Sequence, residues 1–383
     1  MTVPAAAPEI RVIANLAELP ASQWDALTDG NPFLCHAFLL ALQECGCATQ
    51  RSGWQAQFLT LWQDEQLIGA LPLYLKTHSY GEYVFDWAWA EAYERHGLNY
   101  YPKLLCAVPF SPITGLRVLA TSAEMRMLLI QAALQLAQEL QVSSLHCLFP
   151  EAAQTQALQQ AGMMLRQGVQ FHWRNPGYVD FTDYLAAMNN DKRKKIKQER
   201  RRVRDAGISF AHYTGKEITP AHWAFFVRCY DSTYIQHRST PYLNLDFFQR
   251  IGITMADNVL LIIAYRDGQP IASALNIYTA NTLYGRYWGA LEYHPGLHFE
   301  ACYYQAIEFC ITRKIAVFEG GAQGEHKIAR GFLPVTTWSA HWLAHAKFSN
   351  AVEEFLTRET QGMARYTDEL NERNPFKQPS PSD

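Results

Sequence analysis

The sequence predicts a mixed α/β protein, an α+β mixed sheet with helices, made of two tandem copies of one domain. Three observations predict it. The chain has 383 residues, more than a single hydrophobic core usually serves. One order of elements occurs twice: a hairpin, an aromatic stretch, a Gly-Leu pair, a helix and a buried strand. A short motif marks the same point in each copy, Asp64-x-x-x-Ile68-Gly-Ala in the first half and Asp267-x-x-x-Ile271-Ala-Ser in the second. The copies are expected at residues 9–180 and 181–370, with a flexible Pro/Ser tail at 371–383.

In the first copy, Ile10–Ile13 reads as a strand and Pro20–Leu27 as a helix capped by Ser22. Phe33–Cys45 carries apolar residues at helical spacing. Phe58–Trp62 and Leu67–Lys76 form a hairpin, Pro72 marking an edge or a bulge. Asp86-Trp-Ala-Trp89 is the aromatic stretch, read as strand or loop. Ala123–Leu140 is a helix, Ser144–Phe149 a buried strand, Ala152–Gly162 a helix and Val169–Trp173 a strand.

The second copy opens with a helix at Phe181–Met188 and a basic segment, Lys192–Arg204, that holds nine cations in thirteen residues. Ile208–Ala211 is a strand and Ala221–Tyr234 an aromatic-rich helix. Val259–Tyr265 and Ile271–Tyr278 form the second hairpin. Thr282–Ala290 is a third strand, Phe299–Ile311 a helix and Ile315–Phe318 a short buried strand. Phe348–Leu370 closes the copy as a helix.

Composition bounds the function. A net charge of −3 gives no global bias toward nucleic acid or anionic membrane, so any polyanion must be met by a local patch. The eight cysteines form no CxxC pair and most sit in apolar surroundings, which fits a reducing compartment. The first residues show no basic region followed by an apolar one, and no apolar run is long enough to span a bilayer. The reading is a soluble cytoplasmic protein. His341 and His345, four apart, could share a helix face, but no third ligand accompanies them and a metal site is not expected.

The richest stretch is Phe318-Glu-Gly-Gly-Ala-Gln-Gly-Glu-His-Lys-Ile-Ala-Arg-Gly-Phe332. It follows a strand and sets Glu319, Glu325, His326, Lys327 and Arg330 among four glycines. Glycine lets backbone approach a ligand closely, and a loop after a strand is a common place for a site. The first copy has Phe149-Pro-Glu-Ala-Ala-Gln154 in the matching place, without the Gly-Gly or the His-Lys. Any chemistry is therefore expected in the second half.

The repeated order of hairpin, third strand, helix, buried strand and loop resembles the GNAT acyltransferase fold. Two tandem copies, the second opened by a basic helix, resemble the Fem peptidyl-ligase branch. The segments His78–Ala90, His237–Leu243 and Phe318–Phe332 are similar to those of the FemAB-like GNAT proteins of proteobacteria. Neither copy carries the Q/R-x-x-G-x-G/A pyrophosphate loop common in GNAT proteins ahead of the helix that precedes its buried strand. The resemblance implies an N-acyltransferase related to peptidoglycan chemistry. It would transfer an acyl or aminoacyl group directly to an amine acceptor in a cleft between the halves. The co-substrate would be acyl-CoA or the acceptor end of an aminoacyl-tRNA, with no tightly bound cofactor. A degenerate pair that binds a peptide or glycan fragment without turnover is the alternative.

An attacking amine must lose a proton, and Glu319, Glu325 or His326 could take it. Lys327 or backbone N–H groups could stabilise the oxyanion. Asp86, Trp87, Trp89 and His96 could wall a substrate pocket, although an aromatic core would use the same residues. Arg238 and Ser239, with Tyr242 close by, suit a carboxylate or phosphate. Arg286 and Trp288 alternate with Tyr287 on a strand and so share a face. Arg200 and Arg201 on the basic helix could meet cofactor phosphate. His298 and Glu300 stand where the resemblance places such phosphate, and ordinary helix capping would also account for them.

Overall fold

Both expected hairpins form, and both turn on an aspartate. Asp64 and Glu65 have φ of 47° and 64°, Asp267 and Gly268 have 52° and 73°. These are two-residue turns with positive φ at both positions, whose twist matches that of the flanking strands. One residue past each turn the ladder slips, leaving Ile68 in one hairpin and Ile271 in the other as the extra residue. The sequence repeat is thus a repeat of turn and bulge.

The computed structural model describes residues 7–322 and 324–377; Gln323 of the glycine loop, residues 1–6 and the end of the expected tail from 378 lie outside the described residues. The chain forms two compact units that are not contiguous in sequence. One holds the residues up to Gly168 together with Thr336–Arg365, the other Val169–Val335 together with the residues from Tyr366 onward. A single break after residue 180 was expected. It differs because Ser339–Leu343 pairs antiparallel with Ser144–Leu148, a long-range contact that leaves no local signature.

The first unit contains β1 (Glu9–Ile13), β2 (Trp54–Ala56), β3 (Phe58–Gln63), β4 (Gln66–Leu71), β5 (Leu73–Lys76), β6 (Lys103–Cys106), β7 (Leu119–Ala120) and β8 (Ser144–Leu148). One sheet runs β1-β3-β4-β7. Pro72 ends β4, and β5 joins β2 and β6 instead. Its helices are α1 (Ala21–Asp25), α2 (His36–Glu44), α3 (Trp87–Arg95), α4 (Ala123–Glu139) and α5 (Ala152–Gln160). The aromatic stretch at Asp86–Trp89 is therefore the start of a helix, not a strand or loop. The strand that matches Thr282–Ala290 of the second unit is β6, since β6 pairs in parallel with the buried β8.

In the second unit, the latter part of β9 (Met164–Arg174) stands beside strands from the second hairpin. The order is β10 (Ile208–Thr214), β11 (Val259–Arg266), β12 (Gln269–Tyr278), β13 (Thr282–Ala290), β14 (Val317–Glu319), β9. The helices are α6 (Phe181–Ala187), the basic α7 (Asn190–Asp205), α8 (Pro220–Gln236) and α9 (Leu245–Thr254), the last not foreseen. A continuous helical segment follows β13: α10 (Leu297–Phe299), a π-helical stretch Glu300–Tyr304, and α11 (Gln305–Arg313). Tyr304, Ile307, Cys310 and Ile311 pack with Leu260, Leu283 and Phe318 as the core of the unit.

The last two elements are the unforeseen strand β15 (Leu333–Leu343) and α12 (Ala346–Glu372). His341 lies on β15 and His345 before α12, so they do not share a helix face. The tail expected to be flexible is held as far as Lys377: Pro375 O accepts from Asn189 N and Lys377 N donates to Ala187 O. No helix among the described residues is long and apolar enough to cross a membrane.

Candidate active site

β13 and β14 pair in parallel over only three residues, Thr282 with Val317, Leu283 with Phe318 and Tyr284 with Glu319. β13 then runs on to Ala290, while the chain after Glu319 turns away through Gly320 and Gly321. The strands part because the glycine loop begins there. A bulge falls at the same level: Leu275 pairs with Tyr287 and Asn276 with Gly285, leaving Arg286 as the extra residue. Such a bulge kinks a strand and re-aims its side chains.

The parting leaves a cavity of about 110 Å³ whose walls include Asn276, Trp288, His298, Cys302, Tyr303 and Phe318. Two glycines make the room. A Cβ on Gly285 would sit 3.1 Å from Phe318 Cε2, and one on Gly320 would sit 3.0 Å from Phe332 Cε1. A wider cleft of about 670 Å³ shares Trp288 and His298 with this cavity and continues past Ala290, Tyr293 and Phe299.

The π-helical stretch adds a residue to the turn that presents Cys302 and Tyr303, a distortion often found at functional sites. Burial first, then the neighbouring His326, Arg330 and Lys327, lower the His298 pKa to about 4, so the ring is neutral at pH 7. The Tyr303 hydroxyl lies 3.1 Å from His326 Nε2. Burial raises the Tyr303 phenol well above its usual value and keeps it protonated. His326 is itself lowered, by burial first and then by Lys327 and Arg330.

The glycine loop closes through left-handed backbone at Gly321, Gly324 and Gly331, with φ of 84°, 124° and 80°. Lys327 is buried, donates to Gly321 O at 3.2 Å, and has its pKa lowered by burial to about 8. Arg330 lies 3.4 Å above the Phe299 ring, donates to His326 O at 2.7 Å and pairs with Glu199 at 2.9 Å. Glu325 points outward and accepts from Tyr366 at 2.8 Å and from Arg373 at 2.5 Å. Those hydrogen bonds lower its pKa, which weakens it as a base.

The sequence-predicted residues separate into groups. Glu319, the last residue of β14, adjoins cavity-lining Gly320; Arg286, Trp288 and His298 line the cavity itself. Trp288 lies with its ring 5.4 Å from His298, whereas Tyr287 packs against Tyr230 on α8. The Arg286 guanidinium lies 5.1 Å over the Tyr287 ring. Arg238, at φ 53°, is exposed beyond the end of α8, Ser239 Oγ donates to Tyr234 O at 3.4 Å, and the Tyr242 ring is 5.8 Å from Tyr234.

Arg200 and Glu300 do not reach the cavity. Arg200 is held between Glu300 and Glu308 at 3.0 and 2.9 Å. With Arg201 they line a separate groove of about 530 Å³, whose rim carries Lys197 and Arg204.

The first-unit residues are differently placed. Asp86 is buried, accepts from Tyr100 at 2.7 Å and from Lys103 Nζ, and so is not open to a substrate amine. Trp89 is buried with its ring 5.0 Å from His341, Trp87 is half exposed against Tyr80, and the exposed His96 ring packs on Phe348. Where β6 and β8 would part, the chain's own segment fills the place: Gly115 bridges to Pro150, and buried Arg117 donates to Leu148 O at 2.7 Å and Ile113 O at 2.5 Å.

Sequence reasoning missed Asn276, Cys302 and Tyr303. Asn276 had a signal, a polar residue in the otherwise apolar end of Ile271–Tyr278. Tyr303 had none, because a tyrosine at helical spacing reads as core. Among the described residues no group of His, Cys, Asp or Glu could hold a metal ion.

Known proteins agree with this architecture. No curated protein matches the chain. The crystal structure of FemX matches at 10% identity and TM-score 0.55, covering 88% of this chain and 98% of that one. The structure of L-PGS from Bacillus licheniformis matches at 10% identity and TM-score 0.53, covering 85% and 93%. Identities this low speak for the fold alone, a mixed α/β fold. The model of the FemAB-like family, described as peptidoglycan biosynthesis/recognition, matches residues 15–378, and the chain belongs to that family.

Proposed function

We propose that the second unit is an N-acyltransferase that moves an acyl or aminoacyl group from a thioester or ester donor to an amine. The observation that carries this reading is the parting of β13 and β14 over a cavity, beside a base and a protonated phenol. The amine nitrogen attacks the acyl carbonyl carbon; a C–N bond forms as the donor's C–S or C–O bond breaks. Glu319 takes the amine proton. Tyr303, held by His326, gives a proton to the departing sulfur or oxygen. Backbone N–H groups of the unpaired stretch of β13, with Lys327 nearby, stabilise the oxyanion. No covalent enzyme intermediate is required.

The donor is acyl-CoA or an aminoacyl-tRNA, and α7 offers cations for the phosphates of either. The acceptor is a peptide amine, in keeping with the family's peptidoglycan description. Both donors place the reaction in the cytoplasm. The test is to incubate the full chain with acyl-CoAs, aminoacyl-tRNAs and amine-bearing peptidoglycan stem peptides, and to seek the amide product by mass. Product formed by the wild type and lost in Glu319→Gln supports the assignment. Tight peptide binding with no product from any donor would instead make the chain a binding protein.

A further inference from the structure

Asn276 is only 2% exposed and lies on β12 between buried Leu275 and Ile277. Its Nδ2 has no hydrogen-bond partner. Buried polar groups in native proteins are nearly always paired, so an unpaired amide asks for a reason. The surroundings supply one. Its partner across the ladder is Gly285, which has no side chain to cover it. The other wall at this level is Gly320, and the space between is the 110 Å³ cavity. Arg286 is in excess just beside the pair, so the bulge keeps β13 bent away. A glycine opposite, a glycine beyond and a bulge together hold open a space into which one amide N–H can donate.

We propose that Asn276 is a catalytic residue that donates its Nδ2 hydrogen to the carbonyl oxygen of the transferred acyl group, and that this cavity limits the group to a small size. The inference rests on the acyltransferase reading. A dry cavity of about 150 Å³ takes benzene, so this smaller one takes roughly five non-hydrogen atoms or fewer. Leu275, Cys302 and Phe318 supply the rest of the lining, so the group is compact and carries its oxygen toward Asn276.

The test reads binding, not turnover. The full chain is titrated with N-methylacetamide, a minimal product amide, and with N-methylbenzamide, followed through the Gly285 and Gly320 amide resonances. The small amide should shift both resonances in a saturable way and the large one should not. Asn276→Leu, which keeps the branched shape and removes the donor, should weaken N-methylacetamide about threefold to tenfold. An equal response to both amides overturns the size limit. Unchanged affinity in a folded Asn276→Leu overturns the role of the amide, and Asn276→Asp provides a second reading should the leucine variant not fold. Binding as expected without amide product from any donor would keep the amide contact and the size limit but remove the transferase reading, and with it the catalytic role of Asn276.

Discussion

Tyr284 and Glu319 are the last residues at which β13 and β14 are still paired; one residue later both strands carry a glycine. That step, from a Tyr–Glu pair to Gly285 and Gly320, is what separates a sealed sheet from a cavity. Gly285→Ala puts a methyl 3.1 Å from the Phe318 ring, part of the cavity wall, which must then give way by a few tenths of an ångström. We expect turnover to fall at least about tenfold with less than about 2 kcal/mol lost in stability. Gly362→Ala is the control: nothing lies within 4 Å of its Cβ on α12, and stability should rise by about 0.5–1 kcal/mol. Steady-state kinetics and urea unfolding read both.

Lys327 is held at a disadvantage. Burial lowers its pKa from 10.5 to about 8, so below pH 8 the folded chain carries a buried ammonium that the unfolded chain would hydrate. The shift corresponds to about 3 kcal/mol, less about 1 kcal/mol for the bond to Gly321. Lys327→Met should therefore raise the unfolding midpoint at pH 7 while turnover falls. Above pH 10.5 both states are neutral and the wild type is not penalised. As pH falls from 10.5 to 8 the unfolded chain gains the proton first, so the wild type loses stability relative to the variant. Thermal unfolding of the pair from pH 7 to pH 10.5 gives the curve; a variant less stable than wild type at pH 7 would contradict the account.

The first unit rests on buried charge. Lys103 Nζ is fully buried and donates to Ser79 at 2.7 Å, to Glu82 at 2.8 Å and to Asp86. Lys76 lies 3.7 Å over the Trp54 ring and 3.8 Å from Glu82. Burial raises the Glu82 pKa and lowers that of Lys76. Lys103→Met strands two carboxylates and should cost about 3–5 kcal/mol. Adding Glu82→Gln and Asp86→Asn should restore part of the loss, because neutral amides are cheaper to bury than charges. Chemical denaturation of the single and triple variants measures the difference.

Gly289 is a matter of backbone contact. A Cβ there would lie 1.8 Å from Cys229 O, where α8 presses on β13 and Thr233 Oγ1 donates to Trp288 O at 2.8 Å. Gly289→Ala must push the helix off the strand, and we expect a loss of about 3 kcal/mol or more. A soluble, fully stable alanine variant would show that α8 yields more easily than this packing allows.

Much of this molecule was legible in its residues. Apolar runs on either side of a turn placed β11 and β12, with β13 after them, and the motif around Asp64 and Asp267 marked the turn in both copies, though not the bulge beside it. The basic run made α7, in which Ile196 and Val203 are the buried residues. The glycine loop was recognisable because glycines and titratable groups at a strand end serve folding poorly. Local order decided these, and local order is what a sequence states directly.

Tertiary structure decided the rest. β15 is a strand only because Ser339–Leu343 finds β8 nearly two hundred residues away. Glu325 turned outward because Tyr366 on α12 and Arg373 just past it hold it there, and Arg200 became a half-buried strut because Glu300 and Glu308 come to meet it. Asp86 was sealed in by Lys103. The sequence by itself showed where acid–base groups and glycines concentrate, in the loop after β14. Which of those groups stand free to do chemistry was decided by long-range pairing, since a charge is available to a substrate only when no closer partner has already neutralised it.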